Sequence, residues 1–201
     1  MPTLYGKPTS INVRKVLWLC AELGLAIDHD PAPAPQRLAA LNPNRQVPVL
    51  HDSGFTLWES NSICRYLAAS AGRDDLLPGA PQARARVEQW MDWQATDLNG
   101  AWRHVFMARV RRHPDYPDGP RAEASLAQWN RLMAVLDAQL ATGNAYVVGN
   151  TFTLADIVLA LSTQRWHCTP GAKPVLAHLD AWFERLRPRP GFAEYVANGV
   201  A

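Results

Sequence analysis

The chain has 201 residues, 48% of them hydrophobic, and a formal net charge of +2 at pH 7; that length suits two compact units, and so small a charge argues against a dedicated nucleic-acid binder. Its three cysteines, Cys20, Cys64 and Cys168, have neither CxxC nor metal-like spacing, which predicts free thiols, a reducing compartment and no metal site. Met1–Ser10 lacks the charged and apolar regions of a signal peptide, and no apolar run reaches the roughly eighteen residues of a helical span, so the expectation is a cytoplasmic protein that does not engage a membrane.

Thr3-Leu4-Tyr5 reads as a short strand ended by Gly6-Lys7-Pro8. Thr9 or Ser10 then caps a helix to about Leu23, with Val13, Val16, Leu17 and Cys20 as its buried stripe, and Gly24 supplies the C-terminal stop. Ile27-Asp28-His29 is a second strand. Pro31, Pro33 and Pro35 impose an extended loop, and Arg37 to Leu41 form a short helical turn. Val47-Pro48-Val49-Leu50 is an apolar strand with proline at its start, where no ladder donor is needed, and Val47-Pro48 is a candidate cis peptide. Asp52-Ser53-Gly54 makes a hairpin turn and Phe55 to Trp58 the returning strand. Glu59-Ser60 opens a helix with Ile63, Tyr66 and Leu67 on its buried side, ending near Ala71-Gly72. This order fits a thioredoxin-like sheet covered by helices.

Beyond the Pro- and Gly-containing stretch from Arg73 to Gln82, no strand pattern returns. A long amphipathic helix is expected over Ala83 to Arg111, with Gly100 lowering its stability by up to about 1 kcal/mol and marking close packing or a bend. A second runs from about Arg121 to Ala141. Thr153-x-x-Asp156 is a capping box with Phe152 and Ile157 as a hydrophobic staple, opening a third; loss of such a cap costs about 0.5–2 kcal/mol. Pro174 to Leu186 and Gly191 to Val196 supply two more. The expected architecture is an α/β domain over residues 1–73, a linker over 74–82 and an all-helical domain over 83–201.

Two places invite a ligand. The helix start at Glu59-Ser60 offers unpaired N–H groups and the positive dipole end to an anion, and Val47 presents free backbone beside Pro48. Ser10 is the sharpest chemical candidate. It stands just before Ile11-Asn12-Val13-Arg14-Lys15, where the plain reading is an N-cap.

The segments NPNRQVPVL and WESNSICRYL resemble the second half of the glutathione-binding domain of cytosolic glutathione transferases, with bacterial members related to the theta and nu classes as the best likeness. The resemblance implies a thioredoxin-like domain followed by a helical domain that lines the electrophile site. It implies glutathione as co-substrate, no metal, and a detoxifying enzyme that holds the thiol as thiolate for attack on a small electrophile, halogenated or anionic. Glutathione-dependent disulfide or peroxide reduction, and a glutathione-fold binding protein without turnover, are the alternatives. Ser10 and Asn12 would donate to the sulfur. A free thiol with pKa about 8.5 is a few per cent thiolate at neutral pH, and a donor aimed at sulfur favours the charged form. Thr9 is a weaker third candidate, and Tyr5 belongs to core or cleft wall. Val47, before Pro48, would pair through its main chain with the cysteinyl part. Glu59 and Ser60 would hold the γ-glutamyl end, Gln46 would flank the same edge, and Arg37 would meet the glycyl carboxylate. Trp102, Arg103, Phe106, Arg109 and Trp166 would line the electrophile pocket, Arg103 or Arg109 favouring anionic substrates unless they form an ordinary solvated face. A homodimer is implied as well.

Overall fold

The computed structural model describes residues 1–201. Its first third is a four-stranded sheet with helices, built from β1 (Thr3–Tyr5), α1 (Ile11–Leu23), β2 (Asp28–Asp30), α2 (Pro35–Leu41), β3 (Val49–Asp52), β4 (Phe55–Trp58) and α3 (Ser60–Ser70). Strand order is β2-β1-β3-β4. β1 runs parallel to β2 across the α1 crossover and antiparallel to β3, and β3 and β4 form a hairpin. Leu4 and Leu50 face each other at the centre, both fully buried. The hairpin turns on Ser53 and Gly54, both at positive φ, the geometry whose twist matches the flanking strands. β2 starts one residue later than the apolar pattern suggests, and Ile27 packs against the core from outside it.

The remaining chain is helical: α4 (Pro81–Trp93), α5 (Asn99–Arg109), α6 (Pro120–Leu140), α7 (Leu154–Cys168) and α8 (Ala177–Arg185). The long helix expected over Ala83 to Arg111 is one rod interrupted by a π turn at Gln94–Leu98. The break therefore falls before Gly100, where the sequence pointed. A Cβ on Gly100 would meet nothing within 4 Å, so its glycine reflects open space and not tight packing. A second π turn, Phe192–Val196, stands where the last helix was expected.

One hydrophobic core runs through both halves, and α1 lies at its seam. Every residue of α1 from Val13 to Cys20 is buried, well beyond the single stripe its apolar spacing predicts. Trp18 explains the far side: its indole donates to Pro190 O at 3.0 Å and its ring meets Phe152 and Phe192. Arg14 is buried for the same reason and reaches Asn198 Oδ1 and Val200 O, both at 3.1 Å. Glu22 at the end of α1 takes a two-pronged pair from Arg189, 2.7 Å at each oxygen.

The capping box at Thr153 is formed, but Asp156 does more than cap. Its carboxylate is fully buried and accepts from Thr153 N–H at 2.9 Å, Thr153 Oγ1 at 3.1 Å, Val147 N–H at 3.0 Å and Trp182 Nε1 at 2.9 Å. It joins the start of α7 to the preceding loop and to α8. Asp156→Ala leaves several buried donors without acceptors, each deficit costing about 1–3 kcal/mol. The expected loss is roughly 2–5 kcal/mol, above the range for a cap alone. Urea unfolding of the variant checks this, and an unshifted midpoint refutes the role.

Candidate active site

The first two candidates meet at the start of α1. Ser10 holds the N-cap position in its backbone, with φ −85° and ψ 123°, but its hydroxyl makes no capping bond. Its carbonyl accepts from Arg14 N–H at 3.0 Å. The cap role and the free hydroxyl therefore coexist in one residue. Asn12, half-buried, has no hydrogen-bond partner for its amide either, and both side chains line one cleft of about 440 Å³. The N-terminus of α1 lies behind them, a direction that favours negative charge in front.

The sheet supplies a second edge. Val47-Pro48 is cis, and the main-chain N–H and C=O of Val47 have no partner within the chain. Gly6 is packed against this residue: a Cβ there would lie 2.8 Å from Val47 Cβ and 2.6 Å from Val13 Cγ2. Only glycine lets the segment after β1 approach Val47 and α1 so closely. Glu59 caps α3 at φ 71°, a left-handed conformation rare for a carboxylate side chain. Such strain is typical of functional sites. The first N–H groups of α3, beginning at the buried Ser60, have no backbone partner. Arg37 is exposed, donates to Tyr5 Oη at 2.5 Å and has no carboxylate partner. Tyr5 itself is buried. Thr9 is exposed and its carbonyl accepts from Arg111 at 3.3 Å. Gln46 is exposed, with its carbonyl held by Asn42 Nδ2 at 2.9 Å.

The opposite wall comes from the helical half. Ala95 and Thr96 of the π turn line the cleft, and Asn99, Gly100, Trp102 and Arg103 continue the lining. The three other residues expected here lie elsewhere. Phe106 is buried beneath the wall, edge-on to Trp102 at 5.3 Å. Arg109 turns away to pair with Asp118 at 3.0 Å and with Glu123, and donates to Pro170 O at 3.2 Å. Trp166 is buried with its indole on Asn130 Oδ1 at 2.8 Å. An i, i+4 spacing marks a shared helix face, but which of its members reaches solvent depends on where α6 and α7 pack. In their place stands Arg165 of α7, which lines the cleft although its position inside the run LADIVLALSTQRW reads as core.

Beneath the cleft lies a polar network that joins the halves. Lys15 Nζ, fully enclosed, donates to Asn61 Oδ1 at 3.1 Å and Gln94 Oε1 at 2.7 Å. Gln94 Nε2 donates onward to Asn99 Oδ1 at 3.0 Å and Ser162 Oγ at 3.1 Å, and Trp102 Nε1 also donates to Asn99 at 3.0 Å. Asn61 follows Ser60 directly and reaches Met91 O at 2.9 Å. The same network thus positions the start of α3 and the helical wall. No carboxylate touches Lys15, and burial pulls its pKa down to about 8. Sequence reasoning passed over it. The available signal was the Arg14-Lys15 pair inside an otherwise apolar helix.

A thioredoxin-like sheet domain joined to an all-helical domain, with a cleft at the junction, defines the class. Family models agree with that division: the description "Glutathione S-transferase, N-terminal domain" matches residues 4–75 and "Glutathione S-transferase, C-terminal domain" matches residues 101–190. The chain belongs to the glutathione S-transferase family and is an enzyme of that class. It is 35% identical to glutathione S-transferase GstB of Escherichia coli over 100% of both chains. It is 33% identical to rat (Rattus norvegicus) glutathione S-transferase theta-1, over 76% of this chain and 66% of that one. Among solved structures it resembles the theta-class glutathione S-transferase of Xanthomonas axonopodis pv. citri with glutathione bound. That match has a TM-score of 0.89 at 39% identity and covers 97% of this chain and 96% of the other. No helix is long and apolar enough to cross a membrane.

The buried lysine generates a pH test. Its folded pKa, about 8, lies below that of an exposed lysine, 10.5. Between those values the unfolded chain holds a proton that the folded chain lacks, so this group makes stability rise with pH. The gain is complete above the unfolded value and is lost as pH falls through about 8. Stability curves of wild type and Lys15→Met, from urea unfolding across that window, are expected to diverge, wild type gaining on the variant as pH rises. Parallel curves would show that Lys15 is not buried in solution.

Proposed function

We propose that the chain binds glutathione along the edge formed by Val47 and the start of α3, and presents its sulfur to Ser10 and Asn12. The observation that carries this reading is the pairing of two unsatisfied neutral donors, the Ser10 hydroxyl and the Asn12 amide, in one cleft at a helix N-terminus. The cysteinyl main chain would complete the sheet edge through the free N–H and C=O of Val47, with Pro48 fixing the chain direction and Gln46 flanking it. The α-carboxylate of the γ-glutamyl end would meet Ser60 and the unpaired N–H groups of α3, and the γ-glutamyl ammonium would meet the Glu59 carboxylate. Arg37, without an acidic partner, is the cation free for the glycyl carboxylate, and Thr9 borders the thiol.

The chemistry follows from that placement. Hydrogen bonds from Ser10 Oγ and the Asn12 amide, and the dipole of α1, stabilise thiolate over thiol, so the proton passes to solvent. The sulfur lone pair then attacks the electrophilic carbon, a sulfur–carbon bond forms, and a leaving group such as halide departs with the bonding pair. Trp102, Arg103 and Asn99 bound the space for that electrophile. The enzyme acts as a homodimer in the cytoplasm on this reading. The exposed aromatics Phe55 and Trp58 on β4 support a partner surface, and the three unpaired cysteines suit a reducing compartment.

Ser10→Ala and Asn12→Ala are each expected to raise the thiol pKa of bound glutathione by about one unit, equivalent to about 1.36 kcal/mol. The pH dependence of kcat/KM, with 1-chloro-2,4-dinitrobenzene as acceptor, reads that pKa. If both variants keep the wild-type profile, neither donor serves the sulfur. Parallel assays with hydroperoxides and mixed disulfides separate transfer from reduction.

A further inference from the structure

Arg165 is the least explained residue of the cleft. It is 4% exposed and stands in α7 among apolar neighbours. Its guanidinium lies over the faces of Phe106, at 4.1 Å from the ring centre, and Trp102, at 4.5 Å. Beyond these rings it has no partner: none of its nitrogens donates a hydrogen bond within the chain, it forms no ion pair, and Nε is fully buried and unsatisfied. Five donors in a fixed fork stand idle. Other arginines in this protein are served differently. Arg109, Arg189 and Arg73 each pair with a carboxylate, and Arg14, also buried, has four main-chain and side-chain oxygens.

The surroundings add positive charge only. Arg103, exposed and unpaired, lines the same cleft, and no acidic residue does. Arg111 lies over the Phe106 ring at 5.3 Å and is bound only to Thr9 O. Burial lowers the Arg165 pKa to about 9, with Arg14 and Arg111 acting in the same direction, so the group is still charged at neutral pH. A buried cation without an anion is expensive to retain. A planar guanidinium at the floor of a cleft matches a carboxylate or sulfonate, two parallel N–H···O bonds at a time.

We propose that Arg165 is the receptor for an acidic group on the electrophile, with Trp102 and Phe106 holding the guanidinium flat and Arg103 at the rim. This rests on glutathione being the thiol donor in the same cleft. Ser10, Asn12 and Arg165 all line one space of about 440 Å³. One small molecule in that space can place an acid on Arg165 and a carbon at the sulfur. The substrate class is a short acid with a leaving group close to its carboxylate, a 2-haloalkanoate being the simplest. The glutathione thiolate displaces halide from the carbon beside the carboxylate, forming a thioether acid and free halide, while the carboxylate stays on Arg165 unchanged.

Iodoacetate and iodoacetamide carry the same leaving group and differ in charge, so their ratio isolates the arginine. Relative to the uncatalysed reactions with glutathione, wild type is expected to favour iodoacetate by tenfold or more. Arg165→Met should lower kcat/KM for iodoacetate at least ten times more than for iodoacetamide, and Arg165→Lys should restore part of the difference. Folding is read alongside: exchange of an unpaired buried cation for an apolar group of similar length should not lower the thermal midpoint. Calorimetry with the two products gives a readout without turnover. S-carboxymethylglutathione should lose affinity in Arg165→Met, while S-carbamoylmethylglutathione loses at least ten times less. Equal losses for both members of either pair would overturn the proposal and assign Arg165 to glutathione itself or to the fold. Failure of the underlying reading looks different: wild type would bind neither product. In that case quenching of tryptophan fluorescence by benzenesulfonate, against benzenesulfonamide, still tests the site. Loss of the charged ligand's advantage in Arg165→Met supports it, and an unchanged advantage refutes it.

Discussion

The arrangement of this protein depends on a lysine that has no counter-ion. Lys15 lies where α1 is covered on one side by α3 and on the other by the helical half, and it is almost wholly buried. Its ammonium is satisfied by two amide oxygens, one from each neighbour. Those amides are themselves fixed, Asn61 by a main-chain carbonyl and Gln94 by Asn99 and Ser162. Buried polar groups of this kind tolerate little displacement, because any shift leaves a donor or acceptor unpaired. The consequence is a fixed relation between the start of α3, the start of α1 and the π turn of the helical half. The cleft is the space those three leave.

Local rules were enough for most of the first half. The hairpin, the Gly24 stop, the cis candidate before Pro48 and the start of α3 all have short-range causes, and the capping box at Thr153 was legible for the same reason. What the sequence obscured was burial decided from far away. A stripe of apolar residues every third or fourth position predicts one buried face for α1, but Trp18 adds a second by engaging Pro190, far along the chain. Arg14 and Lys15 then become interior residues, against the usual tendency of charged side chains to stay outside. The helical wall failed in the complementary way. Trp102 and Arg103 do line the cleft, whereas Phe106 and Arg109, on the same helix, are claimed by α7 and by Asp118. Arg165 was invisible because a long apolar run reads as core whatever single cation it contains.

Two buried cations near one cleft are thus handled in opposite ways. Lys15 is closed off by neutral oxygens and contributes architecture. Arg165 is open toward the cleft, backed by aromatic faces that attract a cation without consuming its donors. Aromatic rings leave the guanidinium edge free for an incoming planar acid. Had the protein placed a carboxylate beside Arg165, the site would be more stable and chemically silent.

The same economy of charge applies at the sulfur. A lysine or arginine directly on the thiolate would lower its pKa further than a hydroxyl and an amide do, yet the nucleophilicity of a thiolate falls with its pKa, and the best attacking thiol has a pKa close to the ambient pH. On the proposed placement of glutathione, Ser10 and Asn12 are neutral donors that would favour ionisation without depleting the sulfur of reactivity. Positive charge at Arg165 and Arg103, which line the same cleft, would on that proposal act on the other reactant instead. An anionic electrophile and an anionic thiolate repel each other in water, and a cation set at the far end of the cleft offsets that repulsion as the two approach. In that proposal, neutral donors at the nucleophile and fixed cations at the electrophile are two parts of one solution to bringing like charges together.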